Sequence, residues 1–160
     1  MEDSIRVGIG EYKSSRDPQS LMTIALGSCV GIALYEPNTK VGGLSHIMLP
    51  DSTVFHGDKK IGKFADLAIP SLVTEMEALG AKGPLTAKIA GGASMFKGRK
   101  MESHMQIGQR NLEAVREILA AMNIPIVAEH TGDHIGRSMK FDLYEFSVCI
   151  RTATREYIKL

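Results

Sequence analysis

The run Leu26-Gly27-Ser28-Cys29-Val30-Gly31 sets a cysteine midway between two glycines. Glycine lets the backbone turn tightly, so a thiol placed there is presented at the end of a strand. A turn of this kind also points successive backbone N–H groups outward, where they can hold the oxyanion that forms when a thiolate attacks a carbonyl. The competing reading is a small hydrophobe packed between strands. The Gly27-x-Cys29-x-Gly31 spacing also matches a nucleophile elbow, but that motif leads into a helix. Here the strand-like Val30 to Tyr35 follows, so the match is read as coincidental.

A catalytic thiol needs a base, because the thiolate is the attacking species. His46 is the candidate. If Val30 to Tyr35 and Val41 to Leu49 pair as a hairpin about residues 36–40, positions whose numbers add to about 75–77 face one another, which brings His46 close to Cys29. Without that pairing, a histidine between Ser45 and Ile47 reads as a hydrogen-bonded strand residue. Thr23, on the strand before Cys29, has a hydroxyl able to orient the imidazole; taken alone it is an ordinary β-branched strand residue. His130 and His134 are four residues apart, but Thr131-Gly132-Asp133 between them is turn chemistry and no CxxC pair completes a tetrahedral set, so no metal site is expected. His56 and His104 read as solvated loop residues, and Cys149, in the apolar run Phe146 to Ile150, as a core residue.

The elements that must carry these residues follow from periodicity. Ile5, Val7 and Ile9 alternate as in a half-buried strand, and Ser14 to Ser20 with Pro18 reads as turn. Leu21 to Leu26 and Val30 to Tyr35 are strands on either side of the cysteine bend, and Glu36 to Lys40 closes a hairpin onto Val41 to Leu49. After a polar loop over 51–62, Ala65, Ala68, Ile69, Leu72, Val73, Met76 and Leu79 mark one face of a helix ending at Gly80, with Pro70 either kinking it or marking its first turn. Leu85 to Ala90 is a strand leading into Gly91-Gly92-Ala93. A second helix carries Leu112, Val115, Leu119 and Met122, and Ile126 to Glu129 and two further segments ending near Thr152 are strands. Two helices and about seven strands, several joined by short turns, predict an α+β layer structure of mixed, largely antiparallel β layers with both helices on one side.

At 160 residues with no repeat or long linker, the chain is expected to form one domain over 1–160. The hydrophobic fraction of 44% and charged fraction of 23% are those of a globular protein. A formal net charge of +1 offers no electrostatic footprint for nucleic acid or an anionic membrane, and neither is expected as a partner. The N-terminus has no apolar signal core and no transmembrane run occurs, so a cytoplasmic location is expected, with Cys29 and Cys149 unbridged.

Thr23, then Ala25-Leu26-Gly27-Ser28-Cys29-Val30, then Gly42-Gly43-Leu44-Ser45-His46-Ile47-Met48-Leu49-Pro50 resemble the chemoreceptor glutamine deamidases, the CheD family. Ala87 to Phe96, Ile107-Gly108-Gln109-Arg110-Asn111, Thr131-Gly132 and Gly136-Arg137-Ser138 resemble that family's later motifs in the same order; His130 stands where an acidic residue is expected. The resemblance implies an α/β/β sandwich similar to toxin-type cysteine deamidases. It implies hydrolysis of selected glutamine side chains to glutamate on methyl-accepting chemotaxis receptors, with Cys29 as nucleophile, His46 as base and later acid, and Thr23 as third site residue. It implies the CheC phosphatase as a second partner and no cofactor; the Gly91-Gly92-Ala93 turn and the Met95-Phe96 tip are candidate contacts for the receptor or CheC, or simply a tight turn before a surface loop. Two rival readings are a CheC regulator with little activity of its own and a receptor methylesterase.

Overall fold

The computed structural model describes residues 4–94 and 106–160. Its strands are β1 (Ser4–Arg6), β2 (Tyr12–Arg16), β3 (Ser20–Leu26), β4 (Val30–Glu36), β5 (Val41–Ile47), β6 (Thr86–Gly91), β7 (Ile126–Thr131), β8 (Arg137–Asp142), β9 (Ser147–Thr152) and β10 (Tyr157–Lys159). The helices are α1 (Ala65–Ala78) and α2 (Ile107–Ala121), and one-turn helices lie at Ser52–Val54 and Ile61–Lys63. The strands form two five-stranded sheets, ordered β2-β5-β4-β6-β7 and β1-β3-β8-β9-β10. Among the described residues only the strand pairs β1/β3 and β6/β7 are parallel.

The first sheet is the middle layer. Val30, Ile32 and Leu34 face α1 and α2, where they meet Ile69, Leu72, Met76, Val115 and Leu119. On the opposite face Ala33, Tyr35, Leu44 and Ala90 pack on Leu21, Leu26, Met139, Phe141, Val148 and Ile150 of the second sheet. A strand covered on both faces reads as a continuous apolar run, which is why Val30 to Tyr35 shows no alternation. The order helix, sheet, sheet is the expected α/β/β sandwich, with both helices on one side.

Several elements differ from expectation. Of the expected turn Ser14 to Ser20 only 17–19 lie outside strands: Ser14 to Arg16 belong to β2, which pairs antiparallel with β5 at the edge of the middle sheet, and Ser20 opens β3; among the described residues of β2 only Tyr12 reaches the helix-side core. An edge strand can carry polar side chains without losing its ladder. β10 is a second short edge strand that lacks an apolar signature. Pro70 lies inside α1, on its exposed side, and is not the first turn. Cys149 is exposed: Val148 and Ile150 take the inner face of β9, and strand alternation turns the residue between them outward. Met95, Phe96 and His104 lie outside the described residues, as does the whole Gly98 to His104 stretch.

Candidate active site

Three elements converge at one end of the interface between the sheets. β3 pairs with β8 from Ser20 through Thr23, then the register slips, so that Leu26 pairs with Arg137. This bulge, with Ala25 in the left-handed region at φ 64°, swings the chain out of the second sheet into the 27–29 bend and across to β4 of the middle sheet. Cys29 therefore sits at the crossover, half-buried and packed against the inter-sheet core. The residue after the bend begins a strand, as expected, and not the helix of an elbow.

The β4–β5 register puts Val30 opposite Ile47 and Gly31 opposite His46. Gly31 and Cys29 are two apart and so share the face that His46 shares with Leu44. A diagonal cross-strand neighbour is within reach of a long side chain, and Gly31 has none to intervene. His46 is fully buried. Its own strand is fixed from the β2 side, where His46 N–H donates to Glu11 O at 3.0 Å and Gly10 N–H donates to His46 O at 2.9 Å.

Thr23 reaches His46 from the second sheet. Its hydroxyl donates its one proton to Val7 O at 2.7 Å, and its oxygen lies 2.6 Å from His46 Nδ1. With the hydroxyl proton committed, Nδ1 must be the donor in that contact, which fixes the neutral imidazole as the Nδ1–H tautomer. Nε2 is then an acceptor, and it has no hydrogen-bond partner among the described residues, the thiol included. Burial lowers the His46 pKa to about 4. Burial likewise raises the Cys29 thiol, partly offset by its own backbone N–H. Near neutral pH the two side chains are therefore a thiol and a neutral imidazole, not a preformed ion pair.

The bend is held by its carbonyls. Gly27 O accepts from Ala93 N–H at 2.9 Å and Cys29 O from Gly92 N–H at 2.8 Å, while Ser28 O accepts from Asn111 Nδ2 at 3.0 Å. Gly91 has φ 108°, and a Cβ on it would stand 2.2 Å from Cys29 O. That turn abuts the bend directly. Among the described residues the N–H groups of Ser28 and Cys29 donate to no backbone carbonyl, and the Cys29 N–H lies against its own sulfur, so both are placed beside the thiol.

The other histidines do different work. His130 Nδ1 accepts from Arg137 Nε at 2.7 Å, and His134 Nδ1 lies 2.9 Å from Ser94 O beside a cleft of about 320 Å³ lined by Gly92, Gly108, Leu112 and Gly132. His56 is exposed. Sequence reasoning names Asn111 within a motif but gives it no role, although an asparagine among Gly108, Leu112, Val115 and Leu119 on the inner face of α2 is a readable signal. It has no means of finding the Val7 carbonyl, which only the fold brings to Thr23.

The model of the family described as CheD chemotactic sensory transduction matches residues 48–152. A Desulforamulus reducens protein is 52% identical over 149 residues, covering 92% of this chain and 90% of its own length. One from Clostridium novyi is 50% identical over 152 residues, 94% of each chain, and one from Moorella thermoacetica 52% identical over 153 residues, 94% of this chain and 92% of its own. All three bear the name probable chemoreceptor glutamine deamidase CheD.

Proposed function

Because the chain belongs to the CheD family, we propose that it hydrolyses the side-chain amide of selected glutamines on methyl-accepting chemotaxis receptors, with Cys29 as nucleophile, His46 as base and acid, and Thr23 fixing the imidazole. The observation that carries the site assignment is the buried His46 with Nδ1 spent on Thr23 and Nε2 unspent on the face it shares with Cys29. That arrangement suits removal of a proton from a thiol.

The Cys29 S–H proton passes to Nε2 as sulfur attacks the amide carbon. The Ser28 and Cys29 N–H groups hold the resulting oxyanion. As the intermediate collapses the C–N bond breaks, and Nε2–H gives its proton to the departing nitrogen, releasing ammonia and leaving a thioester. Water then attacks the thioester carbon as His46 Nε2 takes its proton, and when the C–S bond breaks that proton passes to the departing sulfur, giving glutamate and restoring the thiol and the neutral imidazole. No atom of the cycle needs a metal or organic cofactor, and one domain suffices for it.

The reaction is assigned to the cytoplasm, where thiols stay reduced; among the described residues no helix is long and apolar enough to cross a membrane. The CheC phosphatase is included as a second partner on the family resemblance alone. Intact-mass analysis of a receptor cytoplasmic fragment tests the reading. Incubation with this protein is expected to add about one dalton per site, and the Cys29→Ala form to add none. Deamidation at wild-type rate by Cys29→Ala would remove Cys29 from the scheme, and methanol release from a methylated receptor in place of ammonia would make the enzyme a methylesterase.

A further inference from the structure

Asn111 is fully buried on α2, and its amide nitrogen makes two bonds: to Ser28 O in the cysteine bend and to Met48 O, two residues past His46, each at 3.0 Å. Its Oδ1 is buried without a partner among the described residues. An unmet buried acceptor is unfavourable, and leucine would fill much the same space without it. The two donors are what distinguish asparagine here. Their reach depends on α2 lying close to the 92–93 turn, where a Cβ on Gly108 would stand 2.4 Å from Ala93 O.

In a trans peptide the carbonyl and the following N–H point in opposite directions. Holding Ser28 O against α2 therefore turns the Cys29 N–H away from the helix, toward the side on which the thiol attacks. The same bond polarises that peptide group and makes its N–H a better donor. We infer that Asn111 is a positioning residue: by fixing the Ser28–Cys29 peptide it aims the Cys29 N–H at the oxyanion. The inference rests on the reading of Cys29 as an acyl-accepting nucleophile.

Two reagents separate this role from general support of the site. p-Nitrophenyl acetate acylates a thiol through a tetrahedral oxyanion; iodoacetamide alkylates it by displacement at a saturated carbon, with no oxyanion. Both rates are measured on the full chain carrying Cys149→Ser, which removes the exposed second thiol, and adducts at Cys29 are followed by mass. Asn111→Leu is expected to slow acylation about tenfold or more and alkylation less than threefold. Asn111→Asp, which keeps the shape and retains at most one donor, is expected to move in the same direction, and thermal melts identify a variant that has lost its fold. Equal loss of both rates in the folded variants, or loss of neither, overturns the inference. So does a wild-type ester-to-iodoacetamide rate ratio no higher than that of N-acetylcysteine, since no oxyanion site would then exist. If the split is present but wild type leaves the receptor unchanged, the proposed substrate fails while the role of Asn111 stands. Deamidation without the split means the reverse: the substrate stands and the role of Asn111 fails.

Discussion

His46 and His130 stand on two strands of the same sheet, both with a pKa below the ordinary imidazole value, and they differ in which nitrogen is left over. His130 is shifted by burial and then by the Arg137 guanidinium, to which its Nδ1 lone pair is already given. Arg137 also donates to Gly132 O at 3.0 Å and Ile135 O at 3.2 Å, so the pair ties β7 and β8 across the 132–136 loop. His46 is shifted by burial alone and donates to a hydroxyl, which keeps its Nε2 lone pair in hand. Lowered basicity is common to both; an unspent acceptor beside a thiol belongs to one. A glutamine in place of each histidine tests the contrast. His46→Gln is expected to lower kcat/KM by about a thousandfold, and His130→Gln by less than about threefold. Comparable losses at the two positions, in a receptor-deamidation assay, would erase the distinction.

The pH dependence of stability gives the next largest contrast. Unfolded, His46 takes a proton near 6.5; folded, it does so only at about 4. Within that window the unfolded chain binds more protons, so stability is full above about pH 6.5 and falls as the pH drops toward 4. At about 1.4 kcal/mol per pKa unit, the His46 share of that loss is about 3 kcal/mol. Urea melts at pH 7 and pH 4 should show the His46→Gln protein losing correspondingly less than wild type. An identical acid loss in both proteins would place the destabilisation elsewhere. With His46 as the proposed base, the acid limb of kcat/KM is expected near pH 4 in a pH–rate profile of receptor deamidation.

Arg137→Met addresses the other side of the comparison. Arg137 is buried, and its removal leaves His130 Nδ1 and the Gly132 and Ile135 carbonyls without their donor. A loss of about 2 kcal/mol in unfolding free energy is expected, with kcat changed severalfold at most. A collapse of kcat without loss of stability would move Arg137 into the reaction itself.

Legibility follows the range of the contacts. The Cys29–His46 relation is readable because it is carried by one hairpin: the four-residue turn 37–40 fixes the register, and the observed pairing of Val30 with Ile47 lies at the edge of the expected offset. Both helices are readable because each has one apolar face. β2 and β10 are not, since edge strands need no alternating apolar set. Cys149 misleads for the converse reason: its apolar run reads as wholly inward, whereas the strand has one wet face. Thr23 stands out as a hydroxyl near in sequence to Cys29, yet its partner arrives from across the sandwich. No local pattern encodes that contact.

That cross-sheet contact supplies the smallest of the predicted effects. Thr23→Val keeps the shape and β-branching but leaves the Nδ1–H of His46 and the Val7 carbonyl facing a methyl group. The strand stays in place, held by the backbone bonds of His46 to Glu11 and Gly10, and what weakens is the orientation and tautomer preference of the ring. Losing one hydrogen bond of ordinary net strength corresponds to about a tenfold drop in kcat. KM should stay nearly constant, because the hydroxyl lies behind the imidazole and not on the side the thiol shares. Thr23→Ser, which restores the hydroxyl, should recover most of the rate. A Thr23→Val enzyme with wild-type kcat, or one whose loss appears in KM, would mean that burial alone holds His46 ready, and the contrast with His130 would then rest on Nε2 and nothing else.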